Sequence, residues 1–432
     1  MSRDFLFGVG ALAYTPEVVK LFKEAGINYV EAYLSWNMSM NAYYLNALNV
    51  HGYRRSGFVL TGHCLVWMVG SYPGIAGADP WNLPSRVKKL NYDQLKKELY
   101  EHVYNTVSRY KGSVTYWTIN EPFWKYADPF HLTPEQWIEI CKISVDAVKK
   151  ADPEGKILIN NLLGEVRFFS YNPIENLKLL RDRSVEFDVI GLEVYGLGRT
   201  PDIPLDSNSY PIVSAVSERI DRFSQFKKPI ILTEVGIPRT AGQKQTEWIR
   251  DLYTMAFSKQ YVKGIAWAFP LDDPFIPKSG MFLGQWSGTP PMPTQAYYQL
   301  QNLTRSWLTQ GIGTTDKEGV VSFKGFAGNY SITVTAEGFK QTENVIHVQE
   351  QAKSNYEIRM QRIKESQAPT VRNETANVSS KPQPSPRAAM SIPSLSQEQT
   401  YVLIAVVLIV CFATLAIVNK KRLHVKPATG LK

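Results

Sequence analysis

Eight short apolar runs typical of β-strands recur between residues 5 and 269, and longer, more polar segments separate most of them. Two of these segments begin with a capping residue, a proline and an acid, at Thr15-Pro16-Glu17 and at Thr133-Pro134-Glu135, as helices often do. The apolar runs are FLFGVGALA (5–13), INYVEAYLSW (27–36), FVLTGHCLVW (58–67), SVTYWTIN (113–120), KILINNL (156–162), FDVIGLEVYG (187–196), KPIILTEVG (228–236) and VKGIAWAF (262–269).

Further helical patterns cover residues 92–110, 174–184, 211–225, 243–259 and 294–307. The segment between the second and third strands is short and contains glycine, so its helical periodicity is the least developed. Eight strands alternating with helices predict an α/β fold, a (β/α)₈ TIM barrel over residues 1–308. An open doubly wound sheet is the alternative. The first strand–helix turn lacks a G-x-G-x-x-G motif, which disfavours the dinucleotide-binding form of that sheet.

In residues 309–362 apolar and polar residues alternate with a period of two, in short runs such as NYSITVT and NYEIRM that are separated by turn residues. This pattern predicts a small antiparallel, β-sandwich-like module after the barrel.

Residues 363–399 are rich in Ser, Pro and Gln. This composition predicts a disordered linker, because such a segment cannot bury enough apolar surface to fold.

The run Tyr401–Val418 is apolar apart from the Tyr401 hydroxyl and Thr414. A helix of this length spans about 27 Å, close to the hydrocarbon thickness of a bilayer. We therefore expect a transmembrane helix over residues 400–419. Basic residues follow it directly, so residues 420–432 are expected to form a cytoplasmic tail, with the barrel outside the cell. The first residues show no export signal, and we expect the N-terminus to be truncated.

Composition excludes two classes of protein. Three cysteines, none in a C-x-x-C pair, cannot provide a disulfide framework or a zinc knuckle. The net charge is +9, but five basic residues lie after residue 418, which leaves +4 for the rest. A nucleic-acid-binding domain would concentrate that charge on itself. The expected partners are therefore a polysaccharide and a membrane, with no nucleic acid, and the chain is expected to be a monomer.

Two carboxylates end otherwise apolar strands of the predicted barrel. Glu121 follows the fourth strand and Glu234 ends the seventh. The active site of a parallel barrel forms at the carboxyl ends of its strands, so these side chains can converge. A charge at such a position is costly unless it is used or paired. The alternative, that each is a solvated strand-end residue, is less favoured for two such residues together.

Two opposed carboxylates are what glycoside hydrolysis requires, one protonated and one ionised. A separation of about 5–5.5 Å predicts retention of configuration, and one of about 6.5–9.5 Å predicts inversion. This chemistry needs no metal ion and no organic cofactor.

Several segments, in matching order, resemble glycoside hydrolase family 10, the endo-1,4-β-xylanase family. The resemblance covers residues 1–308, and its most specific part runs from Arg-Tyr-Lys-Gly to Asn-Glu. The segments are GHCLVW (62–67), YEHVYNTVSRYKGSVTYWTINEP (100–122), DPEGKILINN (152–161), FDVIGLEVYG (187–196) and PIILTE (229–234).

The resemblance implies a retaining endo-β-1,4-glycosidase in which Glu121 is the acid/base and Glu234 the nucleophile. Asn120 would hold the 2-hydroxyl of the sugar before the cleavage point. His63, Trp67 and Trp267 would surround that same sugar, with Trp267 closing over it.

Three departures from the family pattern bear on specificity. The second strand, EAYLSWN (31–37), lacks the family's lysine, Tyr195 stands in place of a histidine, and Glu193 in place of a glutamine. Glu193 is either a third site carboxylate or a loop cap. These differences favour, as a second candidate, a related hydrolase acting on β-glucan or β-mannan.

The sequence leaves open the roles of two tryptophans and one alternative function. Trp124 and Trp286 lie in predicted loops at the barrel mouth, where they either stack on sugar rings or pin the loops. A non-catalytic surface carbohydrate-binding protein is the alternative from another class, and the presence of both Glu121 and Glu234 argues against it.

Overall fold

The computed structural model describes residues 2–36, 50–68, 83–120, 128–164, 172–198, 200, 202–239, 243–272, 276–284, 291–349, 354–363 and 423–428. They fall into two compact units, Asp4–Leu308 and a second formed by Met1–Arg3 with Thr309–Lys432.

Eight parallel strands close into a barrel in the first unit, and each strand pairs with its sequence neighbours. Closure is completed by pairing of the first strand with the last. The predicted TIM barrel is therefore confirmed, and the open sheet is excluded. The strands are β1 Leu6–Gly10, β2 Tyr29–Tyr33, β3 Val59–His63, β4 Tyr116–Asn120, β5 Lys156–Leu162, β6 Val189–Tyr195, β7 Ile230–Gly236 and β8 Val262–Trp267.

Helices follow the strands in the described part of this unit. They are α1 Pro16–Glu24, α2 Val50–Arg55, α3 Tyr92–Tyr110, α4 Pro134–Ala151, α5 Pro173–Asp182, α6 Val213–Phe223, α7 Lys244–Ser258 and α8 Gln295–Ser306. Short 3₁₀ turns occupy Val87–Lys89 and Ser224–Phe226, and Phe282–Leu283 pairs with Met292–Pro293. The N-terminal signals act as expected: the Thr15 side chain accepts the Val18 N–H, and Thr133 forms a capping box with Gln136.

The N-terminal half of the barrel interior is apolar. One buried side chain from each of six strands contributes to a single cluster, partly lined by Val59 and Tyr116 from the other two. The six are Leu6, Tyr29, Leu158, Val189, Ile231 and Ala266. We call this cluster the barrel floor. It fills the cylinder with side chains, so any ligand site must lie nearer the carboxyl ends of the strands.

The described residues of the second unit form two three-stranded sheets. The first orders Ser2–Arg3, Gly328–Val334 and Thr342–Val348 in antiparallel pairs. In the second sheet, Leu423–Ala428 lies between Val320–Lys324 and Tyr356–Ile358. Buried side chains such as Tyr330, Ile346 and Ile358 form its two small apolar clusters.

The C-terminal predictions fall mostly outside the described residues. This holds for the linker from residue 364 onward and for the expected membrane helix at 400–419. None of the helices that the structure describes combines the length and the apolar character needed to cross a bilayer. The strand Leu423–Ala428 lies in the segment that the sequence assigned to the cytoplasmic tail. The membrane span stays a prediction.

Candidate active site

Glu234 is held at the barrel mouth by residues from two other strands. His63, at the end of β3, places its Nε2 2.9 Å from Glu234 Oε1. The Tyr195 hydroxyl, at the end of β6, donates a hydrogen bond to Glu234 Oε2. Both carboxylate oxygens therefore have a fixed polar partner, while 16% of the side chain stays exposed. A carboxylate fixed in this way, yet still open to solvent, can attack a bound substrate without first reorienting.

A β-bulge at the end of β7 explains how Glu234 comes to face inward. Ile231 belongs to the barrel floor, and Thr233, two residues later, donates to the interior Asn160. Regular alternation would therefore direct Glu234 outward. However, β6 advances two residues from Gly191 to Glu193 while β7 advances three, from Ile231 to Glu234. The extra residue in β7 lets consecutive side chains both contact interior groups, as bulges next to active sites do.

The end of β4 has a similar irregularity. Between Thr118 and Asn120 this strand advances two residues against one on β5. Asn120 is buried at the last position of β4, which puts it at the mouth of the barrel. Glu121 follows directly but lies outside the described residues, so the separation of the two predicted carboxylates stays a prediction.

Glu31 on β2 adds a carboxylate that the sequence analysis did not single out. It is 1% exposed, and its Oε1 accepts a hydrogen bond of 3.3 Å from the Tyr29 hydroxyl. One ligand atom each from Glu31, His63 and Glu234 lies within 4.8 Å of the others. Burial, together with the charge of Glu31, raises the pKa of Tyr29 well above its usual value, so this hydroxyl stays a donor. A charged residue in an otherwise apolar strand was the available signal for Glu31, as it was for Glu234.

Glu193 lies inside β6, directly across the strand pairing from Glu234. Its Oε1 accepts from Asn160 Nδ2 at 2.6 Å, and Asn160 Oδ1 in turn accepts from the Thr233 hydroxyl at 2.6 Å. Glu193 is thus a buried strand residue that bonds Asn160 across the barrel interior, and its role as a third site carboxylate stays a prediction. This network links β5, β6 and β7 just below the carboxyl ends of the strands.

The tryptophans predicted to bind sugar differ in where the structure places them. Trp67 follows β3 and is half-buried, close in sequence to His63. Trp124 and Trp286 lie outside the described residues. Trp267 is not where the resemblance implied: it is completely buried, and its ring meets Trp248 of α7 edge-on at 6.5 Å. Its neighbour Ala266 faces the barrel floor, so alternation along β8 turns Trp267 outward to the helix layer.

Two contacts hold loops around the mouth. His102 on α3 stacks on Trp36 with ring centroids 4.5 Å apart and bonds the Leu65 carbonyl at 2.9 Å, so it ties the segments after β2 and β3 together. Burial lowers the pKa of His102 to about 4, so this imidazole is neutral at pH 7. After β7 and β8, Arg239 and Asp272 form an ion pair at 2.6 Å, which gives Asp272 a structural partner.

Comparison with known proteins decides the family. The sequence model described as glycosyl hydrolase family 10 matches residues 41–270, more than half of the chain. This chain belongs to glycosyl hydrolase family 10. The matched range includes β3 to β8, and with them His63, Asn120, Tyr195 and Glu234.

Similar curated proteins have diverse names. An anti-sigma-I factor, RsgI6, from Acetivibrio thermocellus is 24% identical over 292 residues, which are 66% of this chain and 34% of that protein. Endo-1,4-beta-xylanase A from Phanerodontia chrysosporium is 25% identical over 254 residues, 55% of each chain. This family 10 member thus spans between a third and somewhat over half of the length of these two relatives.

Among solved structures, native xylanase 10B from Thermotoga maritima aligns with 70% of this chain and 95% of its own at a TM-score of 0.50. The sequence identity is 18%. At that level of identity the likeness shows that this family 10 chain shares the barrel fold.

Proposed function

We propose that this chain is a retaining glycoside hydrolase that cleaves β-1,4-linked polysaccharide chains internally, with xylan as its first candidate substrate. The observation that carries the proposal is Glu234: a bulge at the end of β7 turns it into the mouth of a family 10 barrel, where His63 and Tyr195 fix both of its oxygens.

Glu234 acts as the nucleophile in this proposal, and Glu121 as the acid/base. In the first step Glu234 attacks the anomeric carbon while Glu121 gives its proton to the leaving glycosidic oxygen, forming a covalent glycosyl-enzyme. In the second step Glu121 takes a proton from water, the water oxygen attacks the anomeric carbon, and Glu234 leaves as a carboxylate. The configuration is retained because two inversions occur at the same carbon.

Substrate preference follows from the residues near Glu234. Asn120 would bind the 2-hydroxyl of the sugar that undergoes attack, and His63 and Trp67 would line its pocket. Xylan is favoured by family membership and by the xylanases among the relatives. Tyr195 on the nucleophile, and a second strand without lysine, support β-glucan or β-mannan as the second candidate.

The proposed location is the cell surface. The apolar segment at 400–419 would anchor the chain as a single span, and residues 363–399 would hold the barrel away from the bilayer. A polysaccharide too large to enter a cell would be cut there into oligosaccharides. Protease treatment of intact cells, followed by detection of the barrel and the tail with separate antibodies, tests this arrangement: removal of the barrel alone is the expected result.

The decisive experiment incubates the purified full chain with xylan, mannan and β-glucan and measures reducing ends and product lengths. Hydrolysis of xylan to oligosaccharides is expected, and both Glu234→Ala and Glu121→Ala should abolish it. Proton NMR of the first product distinguishes retention from inversion. The matched control is Glu24→Ala, which changes an exposed glutamate on α1 that pairs with Lys20 at the helix surface.

Three outcomes would contradict the proposal. Unchanged hydrolysis by Glu234→Ala would remove the nucleophile assignment, and an initially inverted product would remove the covalent step. If the wild-type chain binds a polymer but releases no sugar from any of the three, the non-catalytic carbohydrate-binding function takes its place.

A further inference from the structure

The barrel mouth brings together three groups with metal-binding chemistry. Glu31, His63 and Glu234 come from β2, β3 and β7, and one ligand atom from each lies within 4.8 Å of the others. The pair His63 Nε2 and Glu234 Oε1, at 2.9 Å, is already near the spacing of two ligands bound to the same ion at about 2.0–2.2 Å from each. Only Glu31 would need to approach further.

The surroundings of this cluster preorganise it. Each carboxylate accepts a hydrogen bond from a tyrosine hydroxyl, Glu31 from Tyr29 and Glu234 from Tyr195. Hydrogen bonds of this kind fix the orientation of ligating carboxylates in metal sites. Glu31 and His63 are almost fully buried, whereas Glu234 is partly exposed, so an ion arriving from the mouth would meet Glu234 first.

The donor set selects among cations. Two carboxylates and one imidazole resemble the three protein ligands of catalytic zinc sites, which leave a fourth position for water. Imidazole suits Zn²⁺ and Co²⁺, whereas Ca²⁺ and Mg²⁺ prefer a shell made of oxygen alone. Binding through Nε2 places the ring proton of His63 on Nδ1.

We propose that Glu31, His63 and Glu234 form a binding site for a divalent transition-metal ion of the Zn²⁺ class. The ion takes one oxygen from each carboxylate and Nε2 from the imidazole, and water completes its shell. It replaces the direct contact between His63 and Glu234.

One consequence rests on the proposed function. An oxygen of Glu234 that ligates the ion cannot attack an anomeric carbon, and the ion occupies the position of the sugar. Zn²⁺ therefore acts as a reversible inhibitor of hydrolysis, competitive with the polysaccharide, and activity returns when a chelator removes it.

The test uses Co²⁺ and Zn²⁺ on the full chain. Co²⁺ titration should give the intense visible bands of four- or five-coordinate cobalt, and the Zn K-edge EXAFS of the zinc-loaded chain should show one imidazole and oxygen ligands. Glu31→Gln and His63→Gln should each weaken Co²⁺ affinity at least about tenfold. His347→Gln, which changes an exposed histidine of the second unit, should leave both spectra unchanged.

Several results would overturn the proposed metal site. Only weak, six-coordinate cobalt bands, or EXAFS with no imidazole or with two or more, would overturn the site without any variant. A folded Glu31→Gln or His63→Gln chain with wild-type Co²⁺ affinity would do so as well. Because these readouts do not use hydrolysis, a chain that binds Co²⁺ but cleaves no polymer would contradict the proposed function and leave the metal site standing.

Discussion

The two halves of the barrel interior are built for different purposes. The floor contains apolar side chains from six strands, with Leu158 and Ile231 among them almost completely buried. The mouth, a few residues further along the same strands, contains Glu31, His63 and Glu234. Apolar burial of this kind stabilises the fold by about 1.5–3 kcal/mol per large side chain. Burying a carboxylate destabilises the fold unless the carboxylate is hydrogen-bonded.

The hydrogen bonds at the mouth therefore have a double role. Those from Tyr29 and Tyr195, and the contact with His63, reduce the cost of burying Glu31 and Glu234 and also fix their orientation. The comparison predicts that changes at the mouth alter activity far more than stability, and that changes in the floor do the reverse.

The largest effect is expected for Glu234→Gln. The amide keeps the size of the side chain but cannot act as a nucleophile, so kcat on a cleavable polysaccharide should fall at least about 1,000-fold, or about 4 kcal/mol in the activation barrier. The melting temperature should change by only a few degrees, as measured by circular dichroism. A loss of activity that tracks a large loss of stability would contradict the separation between mouth and floor.

Ile231→Ala tests the opposite half. Ile231 is 1% exposed in the floor, and its truncation leaves a cavity that should lower the free energy of unfolding by about 2–5 kcal/mol. Urea denaturation measures this change. At low temperature, where the variant stays folded, its kcat should be within about twofold of wild type, and a much larger decrease would mean that the floor positions the mouth.

Acid should weaken the support that the helix layer gives to the mouth. Burial lowers the pKa of His102 from 6.5 to about 4. Between these two pH values the unfolded chain therefore binds a proton at His102 more readily than the folded chain does. Above about pH 6.5 His102 is neutral in both states, so its protonation does not change the stability. As the pH falls from about 6.5 to about 4, this difference in proton binding lowers the free energy of unfolding by about 3 kcal/mol. Below about pH 4 it causes no further decrease.

Urea denaturation at a series of pH values measures this loss, and His102→Gln supplies the comparison. The variant cannot be protonated, so its curve should be flatter over the same interval. If the wild type and the variant show the same pH dependence, the pKa of His102 does not differ between the folded and unfolded chains and the assignment is wrong.

Tyr195→Phe should have a smaller effect on activity than Glu234→Gln, the other change at the mouth. It removes one hydrogen bond to Glu234 and leaves the ring packed against Phe269, with centroids 5.8 Å apart. We expect kcat to fall about 10- to 100-fold with little change in KM, since the nucleophile is less well oriented while the sugar contacts remain. An increase in KM with unchanged kcat would instead assign Tyr195 to substrate binding.

Much of the site was predictable because strand ends in a parallel barrel are equivalent positions. Once the fourth and seventh strands were recognised, Asn120 and Glu234 had to lie at the same end of the barrel. His63 was expected from the resemblance to family 10, and Tyr195 stood out as a departure from its pattern; both contact Glu234. Glu31 was not predicted, although the lone acid in the apolar strand YVEAY is the same kind of signal that indicated Glu234.

The sequence by itself determined the closed barrel, because the order and spacing of apolar runs and helix caps are local properties that each segment carries. Only the tertiary structure decided which way the critical side chains point. A single extra residue in the pairing of β6 with β7 turns Glu234 inward, and regular alternation from Ala266 to Trp267 in β8 turns Trp267 outward to Trp248. The register between two strands depends on how both of them pack, and neither strand's own sequence encodes it.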